Sequence, residues 1–226
     1  MIYFDNVTKT FSNNCVALNN VSFGISKGEF ISLVGKSGAG KTTLMNLLLA
    51  YDKPTKGNIV FEDISVPKIK HSKLPFHRRK IGVVHQDFKL LDRKTVFENV
   101  AFALEISGKS DGEIKRTVPQ ALDLVGILDK AENFPEQLSA GEQQRTAIAR
   151  AIIIQPKFIV ADEPTGNLDV YNAREIINLF KKINQLGTGV ILATHNREVV
   201  NMMQRRVIVL EKGKLIRDEQ TGRYCL

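Results

Sequence analysis

The sequence has few of the features that mark secreted or metal-stapled proteins. Only two cysteines occur among 226 residues, Cys15 and Cys225, and they lie far apart without metal-ligand spacing. This argues against a disulfide framework and favours reduced thiols. The four histidines are scattered and show no zinc-binding pattern. We therefore expect neither a disulfide-stapled fold nor a zinc site.

Long apolar runs and a leader sequence are also missing. No apolar stretch approaches the ~18–20 residues that a transmembrane helix needs. Charged residues at Asp5 and Lys9 interrupt the N-terminus, which alternates in the manner of a strand and does not resemble a signal peptide. We therefore expect a cytoplasmic protein that docks on a membrane from that side.

Acidic residues are outnumbered, with 24 Asp and Glu against 32 Lys and Arg, for a net charge of +8. This balance is compatible with nucleic-acid binding, with attraction to an anionic membrane surface, or with a solvated basic face. The densest stretch has only Phe76 as an aromatic, which is unlike a single-strand binding platform. Membrane proximity is the functional interpretation that we favour. The cations of this stretch are Lys68, Lys70, Lys73, Arg78, Arg79 and Lys80.

The order of hydrophobic patterns predicts an α/β protein. The first third is strand-like, whereas residues 95–155 have helical spacing. Thr95 and Glu98 predict a capping box, Pro119 is expected to kink or divide a helix, and Ser139 is expected to cap the last helix of this block. After residue 156, apolar strands alternate with helices, which predicts parallel pairing. No internal repeat is visible, and 43% hydrophobic content suffices for one domain.

The most informative motif is a complete phosphate loop between an apolar run and a helix-forming stretch. Its glycines allow successive N–H groups to face one anion, and the helix start adds a positive dipole end. Lys41 is expected to reach the β- and γ-phosphates, and the Thr42 hydroxyl to bind Mg²⁺. The residues assigned to ATP binding here are Gly35, Lys36, Ser37, Gly38, Ala39, Gly40, Lys41, Thr42 and Thr43.

Two carboxylates end a later apolar strand, residues 158–161. A buried parallel strand places its carboxyl end at the ligand crevice of an α/β sheet. We therefore expect Asp162 to bind Mg²⁺ opposite Thr42, and Glu163 to polarise the water that attacks the phosphate. Alone, such a pair of carboxylates is weak evidence for a catalytic site. Downstream of a phosphate loop, it predicts ATP hydrolysis.

Four further strings identify a family. Residues 138–145, LSAGEQQR, resemble the signature motif of ATP-binding-cassette (ABC) ATPases, and residues 161–169, ADEPTGNLD, resemble their Walker B motif and D-loop. Residues 193–195 are similar to the switch histidine, and residues 84–87 to the glutamine loop. The motifs occur in the family's order along essentially the whole chain.

The resemblance implies a fold and a domain organisation. The expected fold is α/β, a P-loop NTPase (RecA-like) core with an N-terminal antiparallel β-subdomain and an inserted α-helical subdomain. Residues 1–226 would form one ABC domain, in which 1–88 and 156–226 make the β-subdomain and core. Residues 89–155 would make the helical subdomain. Since one phosphate loop and one signature occur, the resemblance implies a homodimer with ATP between two copies.

The resemblance also implies site residues. Phe11 would stack on adenine, Gln86 would contact Mg²⁺ or the attacking water, and His195 would contact the γ-phosphate. The signature would bind ATP held by a second subunit, and it comprises Ser139, Ala140, Gly141 and Glu142. The family commonly has glycine where this chain has Ala140, so we expect slow turnover, because a Cβ removes easy access to positive φ.

Finer likeness, in residues 74–82, 86–91 and 133–135, is to the cell-division members of the family. It implies an FtsX-like integral membrane partner at the cytoplasmic membrane surface, which we expect to contact Phe88 and Leu91. The alternative is the ATPase of a lipoprotein-release or macrolide-export transporter. A nucleic-acid-associated cassette is not expected, because the chain lacks a coiled-coil insertion and a second cassette.

Overall fold

A computed structural model describes residues 1–12 and 14–222, so Cys225 lies outside the described residues. Within that range the chain forms ten strands and seven α-helices. The strands are β1 (Ile2–Thr10), β2 (Val16–Ile25), β3 (Phe30–Val34), β4 (Lys56–Phe61), β5 (Ile64–Ser65), β6 (Ile81–Val84), β7 (Phe158–Asp162), β8 (Gly189–Thr194), β9 (Arg206–Glu211) and β10 (Lys214–Glu219). The helices are α1 (Lys41–Leu48), α2 (Leu74–Arg78), α3 (Val96–Glu105), α4 (Asp111–Val125), α5 (Ala140–Ile152), α6 (Val170–Gln185) and α7 (Arg197–Met203).

A six-stranded sheet forms the centre, in the order β10-β9-β3-β8-β7-β6. Its strands are parallel except for β10, which pairs antiparallel at the edge. Every residue of β3 and of β8 is buried, which explains their continuous apolar sequences. Val34 lies opposite Thr194, and Asp162 opposite Ala193. The register thus brings three carboxyl ends, and the loops that follow them, to one edge.

A second, antiparallel sheet has the order β2-β1-β4-β5, which confirms the predicted β-subdomain. Helix α1 lies between the two sheets, since Leu44, Leu47 and Leu48 share one buried cluster with residues of both. The phosphate-loop helix is therefore held by apolar contacts on two sides.

Helices α3, α4 and α5 lie between β6 and β7 in sequence and share a hydrophobic core with the parallel sheet and α6. The Thr95–Glu98 capping box is confirmed, and Ser139 caps α5 as expected. Helix α4 runs through Pro119 without being divided, so of the two expected effects, a kink or a division, the division is absent. Its buried apolar face and its capping box at Ser110 stabilise the helix across the proline.

The short helix α2 caps the end of α1. The His77 Nε2 atom lies 2.7 Å from the Leu48 carbonyl oxygen, and Arg78 donates to the carbonyls of Leu49 and Ala50. Burial lowers the pKa of His77. Because the last carbonyls of a helix have no partner within it, α2 supplies the bonds that α1 needs. Among the described residues, no helix is both long and apolar enough to span a bilayer.

Candidate nucleotide site

The phosphate loop joins β3 to α1 and closes around a lysine. Gly40, the N-cap of α1, has a φ of 106°, and a Cβ there would come within 2.6 Å of the Ala17 carbonyl oxygen, so only glycine fits. The buried Lys41 ammonium donates to the carbonyl oxygens of Gly35, at 2.6 Å, and Lys36, at 3.3 Å. The loop therefore holds a cation at a helix N-terminus, an arrangement suited to phosphate.

Two oxygen ligands meet beside this loop. The Thr42 hydroxyl donates to Asp162 Oδ2 at 2.8 Å, across the gap between the β3 and β7 ends. Burial raises the pKa of Asp162, and the neighbouring charge of Glu163 adds to the rise. In the described part of the chain, no group of three or more His, Cys, Asp or Glu is placed to hold a metal. A hydroxyl and a carboxylate are oxygen donors of the kind that Mg²⁺ prefers, so the pair fits this ion, which takes its other ligands from phosphates and water.

Glu163 is held by the end of the neighbouring strand β8. Its carboxylate accepts hydrogen bonds from the Thr194 hydroxyl, at 3.0 Å, and from the His195 amide, at 3.3 Å. His195 Nδ1 lies 2.7 Å from Glu163 Oε1, and Lys41 Nζ lies 3.7 Å from the same oxygen. Glu163 adopts a φ of 46°, in the left-handed region that residues other than glycine seldom occupy. The carboxylate is therefore fixed in position by four groups.

Gln86 is joined to the D-loop. Its Nε2 donates to Asn167 Oδ1 at 3.2 Å, while Asn167 Nδ2 donates to the Gln86 carbonyl at 3.0 Å. Gly166 packs so closely that a Cβ on it would come within 2.8 Å of Gln86 Nε2. Asn167 and Thr194 belong to motifs that are visible in the sequence, but the motifs alone assign them no role. Each acts by contacting a residue that is distant in sequence.

These elements enclose one cleft of about 810 Å³. It brings together most of the residues that the sequence assigned to ATP and Mg²⁺. Gly35 and Lys36 lie behind it and contribute carbonyls to Lys41. The cleft's predicted lining residues are Ser37, Gly38, Ala39, Gly40, Lys41, Thr42, Thr43, Gln86, Asp162, Glu163 and His195.

Phe11 does not line this cleft. It lies at the β1–β2 turn, where its amide donates to the Cys15 carbonyl at 2.9 Å, and it is 41% exposed. Lys9 Nζ lies 5.1 Å from the centre of its ring. Cys15 and Val16 do line the cleft, so the turn places Phe11 next to it. Adenine stacking by Phe11 stays a prediction.

The signature motif lies outside the cleft, at the N-terminus of α5. Ser139 Oγ accepts from the Glu142 amide at 3.3 Å and donates to Glu142 Oε2 at 2.8 Å, and this hydroxyl lowers the pKa of Glu142. A Cβ on Gly141 would come within 2.7 Å of Asn172 Oδ1. The signature therefore contacts the first turn of α6, just after the D-loop.

Ala140 is the first residue of α5 and is exposed. It is not among the described residues with positive φ, so the conformational reason for expecting slow turnover was wrong. What remains is the bulk of its Cβ on the exposed helix start.

We expect an Ala140→Gly variant to hydrolyse ATP faster than the wild type, by less than about tenfold, since only one methyl group leaves the surface. The variant should also unfold at a slightly lower temperature, because glycine within a helix costs roughly 0.5–1 kcal/mol. Steady-state ATPase rates and melting curves check both expectations. An unchanged rate would remove Ala140 as a cause of slow turnover.

The raised pKa of Asp162 predicts a conflict between stability and function. The folded protein holds this proton more tightly than the unfolded chain, so stability is lost as pH rises through the raised pKa. At neutral pH, Asp162→Asn should therefore raise the Tm without nucleotide by about 2 °C. The variant should also lose the increase in Tm that ATP with Mg²⁺ gives the wild type. A lower Tm for the variant would contradict this interpretation.

The comparisons with known proteins agree with this geometry. The family described as "ABC transporter" matches residues 18–166. The chain belongs to this family, and it binds and hydrolyses ATP. Its full-length relatives include the cell division ATP-binding protein FtsE of Bacillus subtilis, 50% identical over 99% of this chain and 98% of that protein. FtsE of Mycobacterium tuberculosis is 48% identical over 99% and 98%, and FtsE of Escherichia coli 44% identical over 95% and 97%.

Solved structures give the same family. A dimeric, post-hydrolysis structure of the ATP-binding cassette MJ0796 bound to ADP and Pi has a TM-score of 0.89 and 36% identity, covering 99% of this chain and 100% of that one. Clostridium perfringens cbiO1, described as part of an ABC transporter complex, has a TM-score of 0.90 and 28% identity over 97% and 88%. The predicted fold class and ATPase activity are confirmed, as is the likeness to cell-division cassettes.

Proposed function

We propose that this chain is the ATP-hydrolysing subunit of a cell-division complex, acting as a homodimer on an FtsX-like integral membrane protein. In this proposal, ATP-driven dimer closure is transmitted through the partner and controls cell-wall hydrolysis. The observation that carries it is full-length identity of 44–50% to proteins named for cell division. The likeness includes the segments outside the ATP cleft. It is the reason to favour this function over a lipoprotein-release or macrolide-export transporter.

Phosphate binding is assigned to the backbone amides of residues 36–42, the α1 dipole and Lys41. Thr42, Asp162 and Gln86 are the residues that would hold Mg²⁺. When bound, that ion would neutralise charge on the β- and γ-phosphates. Lys41 is placed to exchange its carbonyl partners for phosphate oxygens, because its ammonium already lies inside the loop.

Glu163 is the proposed general base. Its carboxylate would accept a proton from the water that attacks the γ-phosphate. Thr194 and the His195 amide orient it, and the His195 side chain, whose Nδ1 lies 2.7 Å from Glu163 Oε1, would contact the γ-phosphate as the water loses its proton. Catalysis would depend on this fixed placement, since phosphoryl transfer relies mainly on positioning and electrostatics.

The signature residues would act on ATP held by a second copy. Ser139, Gly141 and Glu142 lie at the N-terminus of α5 and take no part in lining their own cleft. Exposed amides at such a terminus suit the γ-phosphate of a facing subunit. The solved MJ0796 cassettes are dimers, which supports a homodimer here.

The partner contact is assigned to the segment after Gln86. Phe88 has a φ of 55°, and its carbonyl accepts a hydrogen bond from Arg150 of the signature helix at 3.0 Å. The buried Asn99 accepts from the Leu91 amide at 2.8 Å and donates to its carbonyl at 3.1 Å. The segment thus follows Gln86 directly in sequence and is bonded to α5 and α3 of the helical subdomain. This makes it suited to transmit movement.

We expect Phe88→Glu and Leu91→Glu to abolish binding of the membrane partner while ATP affinity stays within about twofold of wild type. The backbone bonds from Arg150 and Asn99 do not involve the replaced side chains, so the segment should keep its path. Partner co-purification and nucleotide titration give the two measurements. Loss of ATP binding together with partner binding would mean that these side chains support the cleft itself.

The function is tested by purifying tagged Glu163→Gln protein from detergent-solubilised membranes with ATP and Mg²⁺, and identifying what co-purifies. Slow hydrolysis should hold the closed dimer and its partner together. Recovery of an FtsX-like protein supports the division function. Recovery of a lipoprotein-release or drug-export permease overturns it and leaves the ATP-site assignments intact.

A further inference from the structure

The positive charge of the chain is concentrated in one segment. Residues 64–86 contain six Lys and Arg and no Asp or Glu. They carry +6 of the net +8, which leaves 26 Lys and Arg against 24 Asp and Glu in the remainder. The rest of the protein is therefore nearly neutral, and the net charge is a local property.

Part of this segment serves the fold. Arg78 caps α1, and Lys80 pairs with Glu62 at 2.7 Å. Lys68, Lys70 and Lys73 are different, because all three are exposed and have no acidic partner among the residues that the structure describes. These lysines cost the protein repulsion, and no ion pair within the described part of the chain offsets it.

An exposed aromatic ring lies among these cations. Phe76 is 58% exposed, and the Lys73 ammonium and the Arg79 guanidinium lie 5.4 Å and 5.6 Å from its ring centre. His71, Ser72 and Pro75 are exposed as well, so the segment projects from the surface. An outward ring that lies beside a lysine and an arginine is typical of a face that meets a lipid headgroup layer.

We propose that this basic face, formed by Lys68, Lys70, Lys73 and Phe76, binds the anionic lipid surface directly, with Phe76 at headgroup depth. Long, exposed lysines suit a layer of diffusing headgroups better than a partner helix, which needs a groove of fixed shape. A nucleic-acid strand would need stacking rings beyond the one present. The inference deepens the proposed membrane location, adding that the chain contacts lipid without its protein partner.

The test is co-sedimentation of the full chain with vesicles of phosphatidylcholine alone, or with one third phosphatidylglycerol. The wild type should bind the anionic vesicles and lose binding as salt rises. Each cation near such a surface is worth about fivefold in affinity, so Lys68→Gln, Lys70→Gln and Lys73→Gln together should weaken binding about 100-fold.

A matched triple variant separates local from overall charge. Lys27, Lys115 and Lys182 are exposed and lie elsewhere, so changing them to Gln removes the same charge and should leave vesicle binding within about twofold. Equal loss in both triple variants, retention in both, or no preference of the wild type for anionic vesicles would overturn the proposal. So would normal vesicle binding by the first variant combined with loss of the membrane protein partner.

A tryptophan placed at position 76 can report the depth of this side chain by its fluorescence, since the chain contains no other tryptophan. A Phe76→Trp variant should show a blue-shifted emission with anionic vesicles, whereas Leu186→Trp, at a site 70% exposed, should not shift. No shift at position 76 would overturn the assigned depth. Partner co-purification keeps the two hypotheses apart: vesicle binding by a chain that recovers no FtsX-like protein would contradict the proposed function and leave the lipid contact standing.

Discussion

Replacing Glu163 with glutamine is expected to lower kcat by about 10³-fold while ATP affinity stays close to that of the wild type. Glutamine keeps the side-chain shape and the hydrogen bond from Thr194 at 3.0 Å, but it cannot take the proton of the attacking water. The phosphate loop, which provides most of the binding, is unchanged. Single-turnover hydrolysis and nucleotide titration measure the two quantities separately. The variant should also accumulate as an ATP-bound dimer in size-exclusion chromatography.

Glu198 supplies the matched control. It is exposed, lies three residues beyond His195, and loses the same charge when changed to glutamine. We expect Glu198→Gln to keep wild-type turnover, because its amide rather than its carboxylate is the group that caps α7 with Asn196. Comparable losses in both variants would assign the effect to overall charge and remove Glu163 as the base.

Replacing Lys41 with methionine should weaken ATP binding about 100-fold and abolish measurable hydrolysis. The lysine is buried within the loop, and hydrogen bonds to charged groups are worth about 1.5–3 kcal/mol each, so loss of its phosphate contacts is costly. Methionine has nearly the same length and leaves the apolar stem in place. Isothermal titration with ATP and Mg²⁺ measures the loss.

Lys36→Met is the comparison for this variant. Lys36 is exposed and lies in the same loop, but its assigned contribution to phosphate binding is its backbone amide. Its side chain can therefore be replaced without loss, and we expect affinity within about twofold of wild type. If Lys36→Met and Lys41→Met weakened ATP binding equally, the phosphates would be bound by the overall electrostatic field of the loop and not by one specific ammonium group.

The sequence predicts the centre of the site well because its key residues are attached to strong local patterns. Lys41 and Thr42 follow a buried strand and open a helix, and Asp162 and Glu163 end another apolar strand. Parallel pairing then places these ends together without further information. The capping box at Thr95 is equally local, since both of its partners lie within four residues.

What the sequence does not reveal is contact between distant segments. The Gln86–Asn167 bonds join residues 81 positions apart, and nothing in either motif indicates the partner. In the sequence, the basic stretch is a candidate for one exposed face. In the structure, however, His77 and Arg78 cap α1, 29 residues earlier. Pro119 shows the converse error, because a strong propensity against helix is outweighed by tertiary packing of α4.

The order of strands in the central sheet has a consequence for synthesis of the chain. Strand β3 lies between β8 and β9, but it is translated before either of them. From the end of β3 at Val34 to the start of β8 at Gly189, about 155 residues must be added, which takes roughly 8–30 s at ribosomal speed.

During that interval β3, a fully buried strand that is apolar except for Ser32, has no neighbour in its sheet. The antiparallel sheet and α1 can cover one of its faces, because β1, β2, β4 and β5 are complete early. Its hydrogen-bonding edges stay open until the last quarter of the chain emerges. A nascent chain stalled before residue 189 should therefore bind holdase chaperones, and release should coincide with emergence of β8 and β9 from the exit tunnel.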